Sequence, residues 1–248
     1  MKPEVVSIYG FGRFGKLWSE ILAEDFQVKV YSRSGIARRQ VRTGIEICDE
    51  KALFHCDALF FCVAISCLEA VLRKSSSYCR GKTTFFDTCS VKVYPARWMQ
   101  THLPAGSKII ATHPMFGPDS YQKTDRKLPI VMCNISADTE TFNWWSHYFT
   151  AKLLQVESMS PEKHDQLTAY SQGITHYVGR LLAELQLQPT VIDTLGYRKM
   201  LEVMGQTCND SWQLFLDLQN YNPYAMKMRK DLDASIAKIN RELSHTKE

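Results

Sequence analysis

Four short segments of this 248-residue chain carry glycines or reactive side chains at spacings that serve chemistry. The first, Gly10-Phe11-Gly12-Arg13-Phe14-Gly15, follows the apolar run Val5 to Tyr9 and opens an amphipathic stretch from Lys16 to Ala23. Glycine at these positions permits a tight turn at Gly10, approach of a pyrophosphate at Gly12 and close helix–strand packing at Gly15. The helix that follows would turn N–H groups and the positive end of its dipole toward phosphates. An ordinary strand-to-helix turn is the alternative, and the position at the head of a strand–helix repeat favours the dinucleotide. The second segment, Ser32-Arg33-Ser34, closes the next apolar run. A carboxylate there would hold a ribose 2′-hydroxyl, whereas a cation accommodates a 2′-phosphate. No acid is present, and the Arg33 fork with two hydroxyls points to NADP, a solvated loop arginine being the alternative.

The third and fourth segments are Asp87-Thr88-Cys89-Ser90-Val91-Lys92, after the run Thr83 to Phe86, and His113-Pro114-Met115-Phe116-Gly117-Pro118, after the run Lys108 to Ala111. Either alone reads as a structural loop. In a doubly wound sheet, however, ligands bind outside the carboxyl ends of the strands, so both segments converge with the glycine loop on one edge. An imidazole there is suited to proton removal near neutrality, its ordinary pKa being about 6.5.

The elements that must position these groups are legible as alternating apolar runs and amphipathic stretches. The runs are Val5 to Tyr9, Val28 to Tyr31, Ala58 to Val63, Thr83 to Phe86, Lys108 to Ala111, Ile130 to Asn134 and Leu153 to Val156. Strands apolar at consecutive positions belong to a mostly parallel sheet covered on both faces. After Ser160 the strand pattern stops. Ser160-Pro161-Glu162 reads as the cap and first turn of a helix reaching about Leu185, with Leu167, Tyr170, Ile174, Val178, Leu181 and Leu185 as its apolar stripe. His164, Thr168, Gln172 and His176 share another face, directed either to solvent or to a polar cleft. The charged end, from Arg229 to Glu248, reads as a helix that frays. The expected architecture is α/β: a Rossmann domain over residues 1–157, doubly wound and mostly parallel, followed by an all-helical domain over 158–248.

With these motifs in place the chain resembles the TyrA family of prephenate and arogenate dehydrogenases, with its nearest likeness to the arogenate branch. The resemblance runs from about residue 4 to about residue 230. Its carriers are the glycine loop, Asp87 to Lys92, His113 to Pro118, Glu162-Lys163-His164-Asp165, Ser171-Gln172-Gly173-Ile174-Thr175-His176 and Tyr221-Asn222-Pro223. It implies oxidative decarboxylation of a cyclohexadienol, with His113 as base and Ser90 holding the imidazole or the substrate hydroxyl in line. It implies further that Gln172 and His176 face the substrate, while His164 could equally cap or pair locally. Arg198 resembles a carboxylate-binding arginine of bacterial members, a surface arginine being the alternative. Asp210 resembles the acidic residue of arogenate-preferring enzymes, where a carboxylate would attract the substrate ammonium, a helix-capping role being the alternative. The resemblance implies a homodimer built through the helical half, whose apolar positions include Met200, Leu201, Val203, Met204, Trp212, Leu214, Phe215 and Leu218.

Composition bounds the partners. The 30 Lys plus Arg against 26 Asp plus Glu are spread without a basic arm, which argues against nucleic acid, and 45% hydrophobic residues suffice for real cores. No apolar run approaches the roughly 20 residues that span a bilayer. The eight cysteines lack C-x-x-C spacing, so reduced thiols are expected and structural zinc is not. The expected compartment is the cytoplasm, or the plastid stroma if a transit peptide has been removed. The rival readings are another two-domain NADP oxidoreductase and a non-catalytic NADP sensor, against which Ser90 and His113 stand.

Overall fold

The computed structural model describes residues 2–79, 83–121 and 127–245. The chain divides into two compact units, Met1–His164 and Asp165–Glu248, so the division falls at 164 rather than at the expected 157.

Among the described residues of the first unit eight strands form one sheet. They are β1 (Val5–Tyr9), β2 (Gln27–Tyr31), β3 (Ile45–Ile47), β4 (Ala58–Phe61), β5 (Thr84–Asp87), β6 (Lys108–Pro114), β7 (Leu128–Asn134) and β8 (Leu154–Ser158), in the order β3-β2-β1-β4-β5-β6-β7-β8. Every pairing is parallel except β6 with β7. The helices α1 (Arg13–Leu22), α2 (Ile65–Ser75), α3 (Val93–His102) and α4 (Thr139–Ala151) link β1 to β2, β4 to β5, β5 to β6 and β7 to β8. Right-handed crossovers that proceed in opposite directions from β1 and β4 place α1 and α2 on opposite faces. Alternate strand residues Val6, Ile8, Val30, Phe60, Phe86, Ile110 and Met132 make one core with Trp18 and Leu22 of α1 and with Trp145 and Phe149 of α4. All four residues of β4 are buried, as a strand covered on both faces requires.

Two features depart from the sequence reading. The three-residue edge strand β3 is too short to leave a periodicity. Strand β6 continues through Thr112 and His113 to Pro114, because β7 pairs antiparallel beside it and His113 lies opposite Val131. His113 is therefore a strand residue, not part of the loop expected to begin after Ala111.

The second unit is helical. Beginning in the first unit, α5 (Pro161–Thr168) is followed by one π-helical turn (Ala169–Gly173) and then by α6 (Ile174–Glu184), α7 (Leu195–Asn209), α8 (Trp212–Asn220) and α9 (Ala225–His245). Ser160 caps α5 as expected, its hydroxyl accepting from the Lys163 N–H at 3.2 Å. The last three residues of the expected fraying helix lie outside the described ones. The stripes on α5 and α6 are reversed relative to a core-facing apolar side. Leu167, Tyr170, Leu181 and Leu185 are largely exposed, whereas His164, Thr168 and His176 are buried. Part of the reason is local: Asn222 donates its carboxamide to the Asp165 carbonyl at 2.9 Å and to the Thr168 hydroxyl at 3.3 Å, covering the polar side.

Candidate active site

The glycine loop joins β1 to α1. Gly10 has φ of +105°, and a Cβ there would meet the Cys62 carbonyl oxygen at 2.3 Å, so the turn admits only glycine. A Cβ on Gly15 would lie 2.0 Å from the Gly10 carbonyl oxygen, whereas around Gly12 a Cβ would meet nothing within 4 Å. The first turn of α1 has neither a side-chain cap nor an acidic residue, which leaves its N–H groups and positive dipole end available to an anion. These features fit a dinucleotide pyrophosphate. Phe11, Arg13 and Phe14 flank the loop. Arg13 is paired at 2.6 Å with Asp119, and Phe14 packs on Trp18 and on Phe116 of the segment after β6.

Beyond β2, Ser32 and Ser34 join hydroxyls at 3.1 Å across a turn closed by the Gly35 N–H on the Ser32 carbonyl, and Arg33 is exposed at its tip. Sequence reasoning missed a carboxylate in this neighbourhood. Glu50, three residues past β3, accepts from the Tyr9 hydroxyl at the end of β1 and from Lys74 at 2.6 Å. Burial, then the hydrogen bond to Glu50, holds the Tyr9 hydroxyl protonated far above its ordinary range, with Arg33 pulling the other way. Thus the acid near the β2 end is already engaged by a tyrosine and a lysine.

At the far side of the same edge, the turn Thr88–Val91 is closed underneath by a buried ion pair. Lys92 bonds the Asp87 carboxylate and donates to the Thr112 carbonyl at 2.6 Å, while the Cys89 N–H donates to Asp87 at 3.0 Å. Burial pushes the Asp87 carboxyl up against the pull of the Lys92 ammonium. The turn thereby holds Ser90, half-buried, at the end of β5, next to β6.

His113 is buried, and its Nδ1 lies 2.9 Å from Nε2 of His164 on α5. His164 therefore pairs with His113, which the sequence alone left open, and among the described residues Ser90 makes no hydrogen bond to the ring. Burial first, then His164 and the Lys92 cation, hold the His113 pKa well below that of an ordinary histidine. The imidazole is neutral at neutral pH, as a base must be.

In the helical unit, the Gln172 Oε1 and His176 Nδ1 atoms are buried without hydrogen-bond partners among the described residues. Such orphaned polar atoms cost about 1–3 kcal/mol each unless something supplies the missing bond. The Asp210 carboxylate approaches His176 Nε2 at 3.9 Å. Ser211 caps α8, accepting from the Leu214 N–H at 3.2 Å, so capping there falls to Ser211. Arg198 lies elsewhere. It is exposed at the start of α7 and donates to the Asp193 carbonyl at 3.1 Å. At 1.5 Å per residue it is about 18 Å along the helix from Asp210. The structure does not bring it to Gln172, His176 or Asp210.

A sheet edge with phosphate-ready amides at one strand and a desolvated imidazole at another is the arrangement of a nucleotide-binding dehydrogenase. Residues 22–136 match the prephenate dehydrogenase nucleotide-binding domain, and residues 181–248 match the TYRAAT1-like C-terminal domain. The chain is 31% identical to Arogenate dehydrogenase 2, chloroplastic, of Arabidopsis thaliana, over 96% of this chain and 69% of that protein. It is 33% identical to Arogenate dehydrogenase 1, chloroplastic, of the same plant, over 96% of this chain but 39% of that longer protein. The crystal structure of prephenate dehydrogenase from A. aeolicus, in complex with hydroxyphenyl propionate and NAD+, superposes with a TM-score of 0.77 at 16% identity. That match covers 99% of this chain and 92% of the other, and it establishes the shared fold. The chain belongs to the arogenate/prephenate dehydrogenase family.

All eight cysteines are unbridged, and burial raises the thiols of Cys56 and Cys62 to about 12, which keeps them protonated. Among the described residues no group of three or more His, Cys, Asp or Glu could hold a metal ion, and no helix is long and apolar enough to cross a membrane.

Proposed function

We propose that the chain converts arogenate to tyrosine with NADP as hydride acceptor. The observation that carries the chemistry is the buried His113–His164 pair at the end of β6. If His113 Nδ1–H donates to His164 Nε2, the other ring nitrogen of His113 is bare and accepts the substrate hydroxyl proton. Ser90, on the neighbouring strand end, orients the same hydroxyl. A dinucleotide held at the glycine loop and the first turn of α1 would supply the nicotinamide as acceptor for the hydride of the carbinol carbon. The ring carboxylate leaves as carbon dioxide, and the electron pair of the broken bond restores aromaticity. The low pKa of His113 then favours return of its proton to the phenolate oxygen, so the imidazole ends as it began.

Arogenate is favoured over prephenate because Asp210 lies beside His176 with two unpartnered buried atoms, Gln172 Oε1 and His176 Nδ1, on the same helical face. Three acceptor groups suit an ammonium better than a keto oxygen. NADP is favoured over NAD by Arg33 with Ser32 and Ser34, and by the engagement of Glu50 with Tyr9 and Lys74. A homodimer is supported by exposed Val191, Ile192, Leu195, Met200 and Trp212 on the helical unit, and light scattering tests it.

A steady-state assay of arogenate and prephenate, each with NADP and NAD, tests substrate and cofactor together. The highest kcat/KM is expected for arogenate with NADP; equal values for the two substrates, or for the two cofactors, would remove the corresponding assignment.

A further inference from the structure

Arg180 was not among the residues that sequence reasoning singled out, yet it joins three parts of the helical unit. It extends from α6 to the corner between α7 and α8, donating to the Thr207 carbonyl at 3.1 Å and to the Asp210 carbonyl at 2.6 Å. Its guanidinium also lies 5.3 Å from the Trp212 ring centroid and 5.9 Å from that of Phe215, both on α8. A planar, permanently charged fork can bond two carbonyls while stacking on aromatic faces, which an ammonium cannot do. The preceding residue tightens the joint. A Cβ on Gly179 would lie 2.0 Å from the Thr207 hydroxyl, so α6 and α7 approach as closely as glycine allows.

Asp210 sits on that corner, and His176, one helical turn before Arg180, faces its carboxylate. We propose that Arg180 is the positioning residue for Asp210, pinning the corner so that the carboxylate stays beside His176 and receives the ammonium group of an amino-acid substrate. The guanidinium bonds the Asp210 main-chain carbonyl, and so fixes where the acid stands through the backbone. The inference rests on the reading of Asp210 as the group that selects arogenate.

The test is kcat/KM for arogenate and for prephenate in the wild-type protein, Arg180→Met, Arg180→Lys, Asp210→Asn and the double variant Arg180→Met/Asp210→Asn. Arg180→Met should lower the arogenate-to-prephenate ratio about tenfold, mainly through KM for arogenate, which is the scale of one charge-assisted hydrogen bond. Arg180→Lys keeps the charge but not the fork, and should lose part of the ratio; it serves as the test if the Met variant does not fold. In the double variant the ratio should equal that of Asp210→Asn alone. A folded Arg180 variant with the wild-type ratio, or with both substrates impaired equally, overturns the proposal. A lowered ratio that adds independently to that of Asp210→Asn overturns it too. If Asp210→Asn itself leaves the ratio unchanged, the selector reading fails, and the proposal with it.

Discussion

Replacement of His164 tests how the base is held. Among the described residues the His113 ring has one hydrogen-bond partner, His164 at 2.9 Å, in a buried setting. His164→Phe would leave the Nδ1 group of His113 desolvated and unpaired, at a cost of about 1–3 kcal/mol. It would also remove the preference for the tautomer whose other nitrogen is bare. If the loss is felt in the transition state, kcat falls about 5- to 150-fold, at 1.36 kcal/mol per decade. His164→Asn keeps an acceptor oxygen for Nδ1–H and should recover part of the rate. Steady-state formation of NADPH, with the cofactor Kd measured separately, gives the readout: kcat should fall while cofactor affinity holds. The pH profile supplies a second signature. The pKa of His113 lies well below 6.5, held down by burial, His164 and Lys92, so the acid limb of kcat/KM should lie below 6.5 in the wild type. Without His164 that limb should move upward. The same shift makes stability pH-dependent: an unfolded chain protonates this histidine as pH falls through 6.5 while the folded one does not, so stability is lost below 6.5 and unaffected above it. A His164→Phe enzyme with wild-type kcat and an unmoved acid limb would refute the reasoning.

Lys92→Met should strand the buried Asp87 carboxylate and destabilise the protein by about 3–5 kcal/mol, visible as a melting temperature lowered by roughly 10 °C; an unchanged melting temperature would show that the pair carries little weight. Gly15→Ala forces the glycine loop to move, and an overpacking penalty of about 1–3 kcal/mol should weaken cofactor binding about tenfold, measurable by fluorescence titration with NADPH. Unaltered affinity would mean that the loop tolerates the added methyl. Arg33→Gln should raise KM for NADP by about 10- to 100-fold and leave KM for NAD nearly unchanged, because only the first carries a 2′-phosphate for the guanidinium. Equal effects on both cofactors would remove Arg33 from discrimination.

Much of the first unit was legible because its signals are local. The glycine spacing, the apolar runs and the turns after β5 and β6 all lie within a few residues of the features they determine. The extension of β6 through His113 was not, since it depends on pairing with β7, some twenty residues later. His164 was visible on a polar helical stripe, but that stripe reads identically whether it faces water or a buried partner. The buried state of Lys92 was hidden for a related reason, because its carbonyl acceptor on Thr112 belongs to a different strand. Arg180 left no motif at all; its partners are main-chain carbonyls, which every residue type supplies. Arg198 is the opposite case, a residue type that matches a family role while the structure holds it exposed on the Asp193 carbonyl.

The π-turn in the helix after Ser160 gives segment length some slack over residues 169–173. A turn closed i→i+5 holds one residue more than an α-helical turn, so deleting one residue other than Gln172 would restore a plain α-helix while His176 and Arg180 keep nearly their direction relative to the turn that Asn222 grips. A second deletion would find no such slack and would swing both side chains by about 100°. A single-codon loss in this stretch should therefore be tolerated where a double loss abolishes activity.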